Sequence, residues 1–506
     1  LGNTNCYFFD DRGLLAKVEN SLGDTMNMAY DVHYNLIRLT DPAGRSHRFG
    51  WDTRGNLYGM TDPLGNSTYF SWTALSRLAS MRDANGHLTR YASDTNGNLQ
   101  SITYPDSTVE SWGFGAGGNP VRWTNRRGNM IQYAHDADGR LTTKTYPGGV
   151  QSVYQYDTRG NLTNAMDAVS TNMLTYDAND RLTQIEYPDG KWLQFTYDTA
   201  GRRASSLDQL GHQLDYYYDS AGRLASLSNE TGSLVVRYAY DAAGRLSLKI
   251  LGNNIQTTYS YDPAGQMIGL TNYNVDGSVL SLFDYSYDSR GRRASMDTLD
   301  GKWDYEYDDL GQLTHAVFAS INPAITNQDL TYVYDPLGNR LRTVENGVAS
   351  DYTINNMNQY TAMGDRTYVF DADGNMIEER SPDGTNTYTY NYENRLVGIT
   401  TPSGTWQNAY DAFGERIASV EDGVTSRFVI DPIGFGDLVG QYDATGALQA
   451  RYDHGFGLLN RTDSDSNTAW YAFDSIGDVQ QLVTAAGTVV NRYVYTPSGT
   501  HLLRTE

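Results

Sequence analysis

Apolar and aromatic residues along this chain alternate with polar ones in runs of about six positions, separated by short clusters of Asp, Pro, Asn and Gly. A period of two is that of half-buried β-strands, and runs this short leave no room for helices. The aromatic that ends a run is followed by a turn. Examples are Trp51-Asp52-Thr53-Arg54-Gly55, Tyr156-Asp157-Thr158-Arg159-Gly160, Tyr218-Asp219-Ser220-Ala221-Gly222 and Tyr240-Asp241-Ala242-Ala243-Gly244, with Tyr261-Asp262…Gly265 and Tyr334-Asp335…Gly338 in the same pattern. The Asp position steps by 21 residues through Asp10, Asp31, Asp52, Thr73, Asp94, Gly115, Asp136 and Asp157. It continues at 20 to 22 through Asp177, Asp198, Asp219, Asp241 and Asp262, and lengthens only afterwards, at Asp288 and Asp335. At that step the chain holds about 24 units, so it is one repeat array and not a string of unlike domains.

A second turn lies halfway through each unit, as in Asp41-Pro42-Ala43-Gly44, Asp62-Pro63-Leu64-Gly65, Tyr187-Pro188-Asp189-Gly190 and Asp208-Gln209-Leu210-Gly211. Asp caps its own backbone there, Pro fixes φ, and Gly takes the positive φ of the reversal. Each unit is therefore predicted to be a two-stranded hairpin. Pairs such as Tyr154/Tyr156, Tyr216/Tyr218, Tyr238/Tyr240 and Tyr259/Tyr261 place both rings on one strand face, so stacked units form aromatic ladders. About 48 short strands exceed what an open twisted sheet carries before it curls. The predicted fold is all-β: a spiralling sheet of about 24 hairpins, wound as a hollow cocoon or a barrel shell.

Composition narrows the picture. There are 40 Tyr and 50 Gly in 506 residues, which leaves little aliphatic material to fill a solid interior. A net charge of −22 argues against nucleic acid or an anionic membrane surface as partner. Cys6, the single cysteine, has no mate for a disulfide. No apolar run reaches the roughly 18 residues of a membrane span. The opening Leu1-Gly2-Asn3-Thr4-Asn5 has neither an initiator Met nor a basic segment, and is expected to be internal to a longer protein.

The unit Tyr-Asp-x-x-Gly-Arg-Leu, best seen at Tyr218–Leu224, Tyr240–Leu246 and Tyr156–Leu162, resembles the YD or Rhs repeat over essentially the whole chain. Residues 1–429 read as the array. Residues 430–506, with Asp431-Pro432-Ile433-Gly434, Tyr471-Ala472-Phe473-Asp474 and Val494-Tyr495-Thr496-Pro497, look like the opening of the Rhs repeat-associated core. The wider superfamily includes Rhs polymorphic toxins, Tc-toxin shell subunits, wall-associated proteins and teneurins. The resemblance implies a β-cocoon and, in the toxins, a C-terminal effector held inside after autoproteolysis. It also implies a secreted or cell-surface location. Cleavage segment and effector are expected beyond residue 506.

Sharper chemistry finds little support in the residues. Asp41, Asp62, Asp262, Asp335 and Asp431 precede Pro, but all sit at repeat turns. Asp463-Ser464-Asp465-Ser466-Asn467 opens like a calcium loop, yet Thr468 replaces the required Gly. The eight histidines show no HxxxH or HExxH spacing, and no phosphate-cradling Gly motif occurs. The Trp residues are expected mostly as ladder members. No catalytic, cofactor or metal residues are assigned, and this segment is read as no enzyme. The expected function is a structural shell around a C-terminal cargo polypeptide. The alternative is a teneurin-like or wall-associated adhesion module, which would bind glycans or a receptor through the insertion Phe318–Asp329.

Overall fold

The computed structural model describes residues 5–433 and 437–506. Leu1–Thr4 and Gly434, which entered the sequence reading, lie outside the described residues. The described chain is 58% strand and 1% helix, the latter two single 3-10 turns at Pro147–Gly149 and Pro188–Gly190. It forms 48 strands, from β1 (Cys6–Phe9) to β48 (His501–Thr505). Each strand pairs antiparallel with its neighbours in sequence, a continuous meander. Among the described residues β1 and β48 do not pair with each other, so the shell is the open, coiled form of the expected fold. The 21-residue step supplies hairpins but no register that would bring the two ends together.

The repeat consensus is explained by three local devices. First, the turn Asp organises the loop. Asp219 Oδ1 accepts the amides of Ala221 and Arg223, both at 2.9 Å, while Oδ2 accepts Arg223 Nε at 2.8 Å. Gly222 N–H closes the turn on the Asp219 carbonyl, at φ 82°. Second, the register slips between Tyr217 and Tyr218, a bulge that recurs at each aromatic-Asp hairpin and adds twist. Third, the aromatic clasps the preceding unit. Tyr240 Oη donates to the Leu224 carbonyl at 2.6 Å, and the Arg223 guanidinium lies 4.2 Å from the Tyr240 ring centroid. The motif aromatic, Arg and Leu thus each have a partner in a neighbouring repeat.

The same logic explains the substitutions. Trp51 and Trp72 replace Tyr and keep the bond through Nε1, to the carbonyls of Leu36 and Leu57 at 2.8 and 2.7 Å. Asn355, where the motif is lost, still caps its turn by accepting the amides of Met357 and Gln359. Gly115 has no side chain to cap with and relies on backbone bonds alone. Later in the chain the halfway turns shorten to two residues, Asn346-Gly347 and Asp422-Gly423. All four of these residues have positive φ, the conformation whose twist matches a hairpin.

The sheet winds back on itself. Hydrogen bonds between successive coil turns join residues 250, 251 and 246 positions apart at Asn85–Asp335, Asn356–Pro105 and Arg127–Asp373. That separation falls to 201, 190 and 182 at Asn272–Phe473, Ser475–Tyr285 and Arg293–Ser475. The coil therefore makes about two turns at this pitch and tightens toward β48. Accessible surface is 25484 Å² for 56.3 kDa. A compact globule of that mass exposes about 18,500 Å². The excess is what a wall one sheet thick, wet on much of both faces, produces.

Candidate functional site

The functional element is the wall itself and the seam that holds its turns together. The aromatic-Asp residues do not converge on one spot. They are laid along the edge of the coil, one per hairpin. Trp51, Tyr156, Tyr218, Tyr240, Tyr261 and Tyr334 each donate to a carbonyl of the preceding unit, and Gly55, Gly160, Gly222, Gly244, Gly265 and Gly338 hold φ between 81° and 96°. Asp52, Asp157, Asp219, Asp241, Asp262 and Asp335 each accept the turn amides. Hydrogen bonds hold the carboxyls of Asp52, Asp157, Asp219 and Asp241 below the usual range, and at Asp335 they do so against burial, which pushes it up. Asp52 falls to about 2, chiefly through the Asn56 side chain.

Asp335 also reaches across the seam, accepting Asn85 Nδ2 at 2.8 Å. This is the general arrangement from Ser21 to Asn172: halfway turns of the first coil turn meet aromatic-Asp turns of the second. Ser21 Oγ donates to the Pro263 carbonyl, Arg290 pairs with Asp41 at 2.7 Å, and Arg45 pairs with Asp309 at 2.6 Å. Arg127 Nε bonds Asp373 at 2.5 Å, and Lys144 Nζ bonds Glu393 at 2.9 Å. Burial pushes the Glu393 carboxyl up, but the Lys144 bond and charge outweigh it, and the net shift is down.

Further along, the seam becomes a buried core. Leu174, Ile185, Leu193 and Phe195 pack with Val429 and Tyr442. Leu214, Leu227, Val236 and Leu251 pack with Leu459, Trp470 and Val483. Between these clusters lie two ion pairs and a His–Asp contact. Arg203 grips Asp431 through both nitrogens, at 2.5 and 3.0 Å. Arg451 bonds Asp208 at 2.9 Å, and His212 Nε2 lies 2.8 Å from Asp453 Oδ1. Burial works against the Arg203 charge, but Asp431 prevails and raises its pKa. For Asp453 burial raises the pKa, while the His212 contact and the Asn460 bond bring it down overall. A cavity of about 620 Å³ opens beside these pairs. The chemistry of the seam is that of a lock.

The sequence reading missed these cross-seam residues. A signal existed for some of them: the Leu that follows Gly-Arg in the motif is Arg at Arg203 and Arg293, where a repeat position has been given over to the next coil turn. The insertion Phe318–Asp329 does not stand free. The Asn322 amide donates to Asp300 at 2.6 Å, and Ile325 is 4% exposed in a cluster with Trp303 and Phe318. No Trp side chain among the described residues is exposed. Asp463 organises an ordinary turn, accepting the amides of Asp465 and Asn467.

Residues 119–304 match the Teneurin YD-shell family and residues 370–405 the RHS Repeat family, so these stretches carry YD and RHS repeats. The tRNA3(Ser)-specific nuclease WapA of Bacillus spizizenii is 27% identical over 183 residues, 34% of this chain and 8% of that protein. The tRNA nuclease WapA of Bacillus subtilis matches to the same extent. Among solved structures, TcdB2-TccC3-TEV superposes with a TM-score of 0.79 at 15% identity over 99% of this chain. The Photorhabdus luminescens Tc holotoxin pore gives 0.69 at 17% identity over 99% of it. At these identities the likeness is one of fold. The chain spans 32% and 30% of those two structures' chains.

Proposed function

We infer that this chain is a stretch of non-catalytic shell wall in an Rhs-like protein that encloses and protects a C-terminal polypeptide cargo. The observation that carries the reading is the surface excess of a two-turn coil: 25484 Å² where a compact globule exposes about 18,500 Å². A wall built this way has one use for its second face, which is to line a space. Several of its buried charges are spent on closing the seam, as at Arg203–Asp431, and the two families that it matches are a shell and a repeat. Residues 430–506 are assigned to the opening of the Rhs core, and a secreted or surface location follows from the shell's relatives. Among the described residues no helix is long and apolar enough to cross a membrane. The adhesion reading draws less support, because the Phe318–Asp329 loop is pinned to Asp300 and the Trp side chains are in the sheet.

The test is the intact mass of the full-length gene product that carries this chain, under native and denaturing conditions. A second polypeptide that stays bound natively and separates on denaturation supports a shell with cargo. One uncleaved chain under both conditions favours adhesion instead.

A further inference from the structure

A second seam cavity, of about 210 Å³, lies where the strands around Trp303 meet the aromatic-Asp turn at Asp474. Phe283, Trp303 and Phe318 give it apolar walls, and Arg293, Tyr305, Asp474, Asp478, Gln480 and Arg492 are among the polar side chains that line it. The two cations among them are already engaged. Arg492 Nη2 donates to both oxygens of Asp300 at 2.6 Å. Arg293 Nη2 donates to Ser475 Oγ at 2.6 Å, and its guanidinium lies 4.3 Å from the Tyr285 ring centroid.

The remaining groups have capacity to spare among the described residues. Asp474 uses Oδ1 for the turn amides of Ile476 and Asp478, at 3.0 and 2.9 Å, and its second oxygen accepts nothing. The Asp478 carboxylate, half-buried, has no hydrogen bond and no ion pair. Gln480 is 7% exposed, sits at the bulge of its strand, and its amide has no partner. The Tyr305 hydroxyl, although its ring is stacked on Trp303 at 6.1 Å, has none either. Every group left free is an acceptor or can act as one. The carboxylates Asp300, Asp474 and Asp478 also outnumber the guanidiniums of Arg293 and Arg492.

We propose that this cavity binds a single guanidinium or primary ammonium group on an aliphatic stem. Such groups donate only, which matches a set of unfilled acceptors. Aromatic walls add attraction for a cation and cover the stem. The volume is below the roughly 300 Å³ of pockets for drug-sized ligands, so the occupant is one basic side chain or a small amine. Burial and the neighbouring Asp478 already push the Asp474 carboxyl up, a strain that a bound cation relieves. The proposal stands whether or not the shell holds cargo.

Sister repeats supply mild variants. Asn holds the Asp474 position at Asn355 and Asn391, where it caps the turn, and holds the Asp478 position at Asn56, Asn161 and Asn339. Asp474→Asn and Asp478→Asn are therefore expected to fold. Calorimetric titration of the 506-residue chain with agmatine, and with the blocked tripeptide acetyl-Gly-Arg-Gly-amide, should give saturable 1:1 binding. Each variant should weaken it about tenfold or more at an unchanged urea midpoint. Binding of agmatine identifies small amines as ligands; binding of the tripeptide alone identifies a basic residue of a polypeptide. Saturable binding of neither, equal affinity in both variants, or equal binding of 1-pentanol would overturn the proposal.

Discussion

Asn85 Nδ2 donates to Asp335 Oδ2 at 2.8 Å across 250 residues of sequence, and Asp335 at the same time organises its own turn by accepting the amides of Leu337 and Asn339. One repeat-consensus residue thus serves both the hairpin and the coil. The two turns of each unit have different tasks: the halfway turn presents the first coil turn's edge, and the aromatic-Asp turn receives it.

The Arg203–Asp431 pair gives the sharpest stability prediction. Its side chains are 13% and 9% exposed, so removing one partner strands a charge in the seam. Asp431→Ala is expected to cost about 3–5 kcal/mol. The double variant Arg203→Leu with Asp431→Asn restores the motif Leu and should recover most of that loss. Urea midpoints of the three proteins check it, and equal midpoints for single and double variants would show that the pair is not coupled.

The repeat clasp predicts smaller effects. Tyr240→Phe removes the bond to the Leu224 carbonyl and leaves the ring over which Arg223 lies. The expected loss is about 1 kcal/mol, read as a drop in melting temperature. Trp51→Tyr should be close to neutral, since Tyr is the usual clasp at that position.

Lys249 is 7% exposed, and burial lowers its pKa from 10.5 to about 8. Its nearest aromatic, Phe473, has its centroid 5.6 Å from Nζ, and this is poor compensation. In the unfolded chain this lysine holds its proton up to about 10.5, whereas the folded chain releases it from about 8. Folding stability should therefore rise with pH across that window. Lys249→Met removes the rise and stabilises the protein at pH 7 by up to about 3 kcal/mol. Denaturation of both proteins from pH 7 to 11 tests the sign.

Glu393 carries the opposite dependence. Its lowered pKa means that its contribution is present above the ordinary carboxylate range and is lost as pH falls through the folded value. Glu393→Gln should flatten that part of the acid transition, as followed by limited proteolysis near Lys144. Asp411 works against it: burial raises its carboxyl, so acid favours the folded form at that point of the seam.

Much of the wall was legible because its information is local. Turn chemistry and a period of two are written within each unit, so the hairpins and the positive-φ glycines could be read directly, as could Thr73 and Gly115 as in-phase stand-ins. The seam was not legible. Whether Asp41 meets Arg290 depends on how many strands complete one coil turn, a quantity fixed by small increments of twist summed over many bulges. Arg203 and Arg293 mark seam positions only once that pitch is known. Whether the shell closes is set in the same way, by global curvature and not by any one repeat.

Small-angle X-ray scattering of the isolated chain tests the open hollow coil most directly. A compact globule of 506 residues has a radius of gyration of about 23 Å. A wall one sheet thick around a solvent-filled space should give a clearly larger value, with the intensity minimum and broad pair-distance profile of a hollow body. A value near 23 Å with the profile of a filled sphere would contradict it.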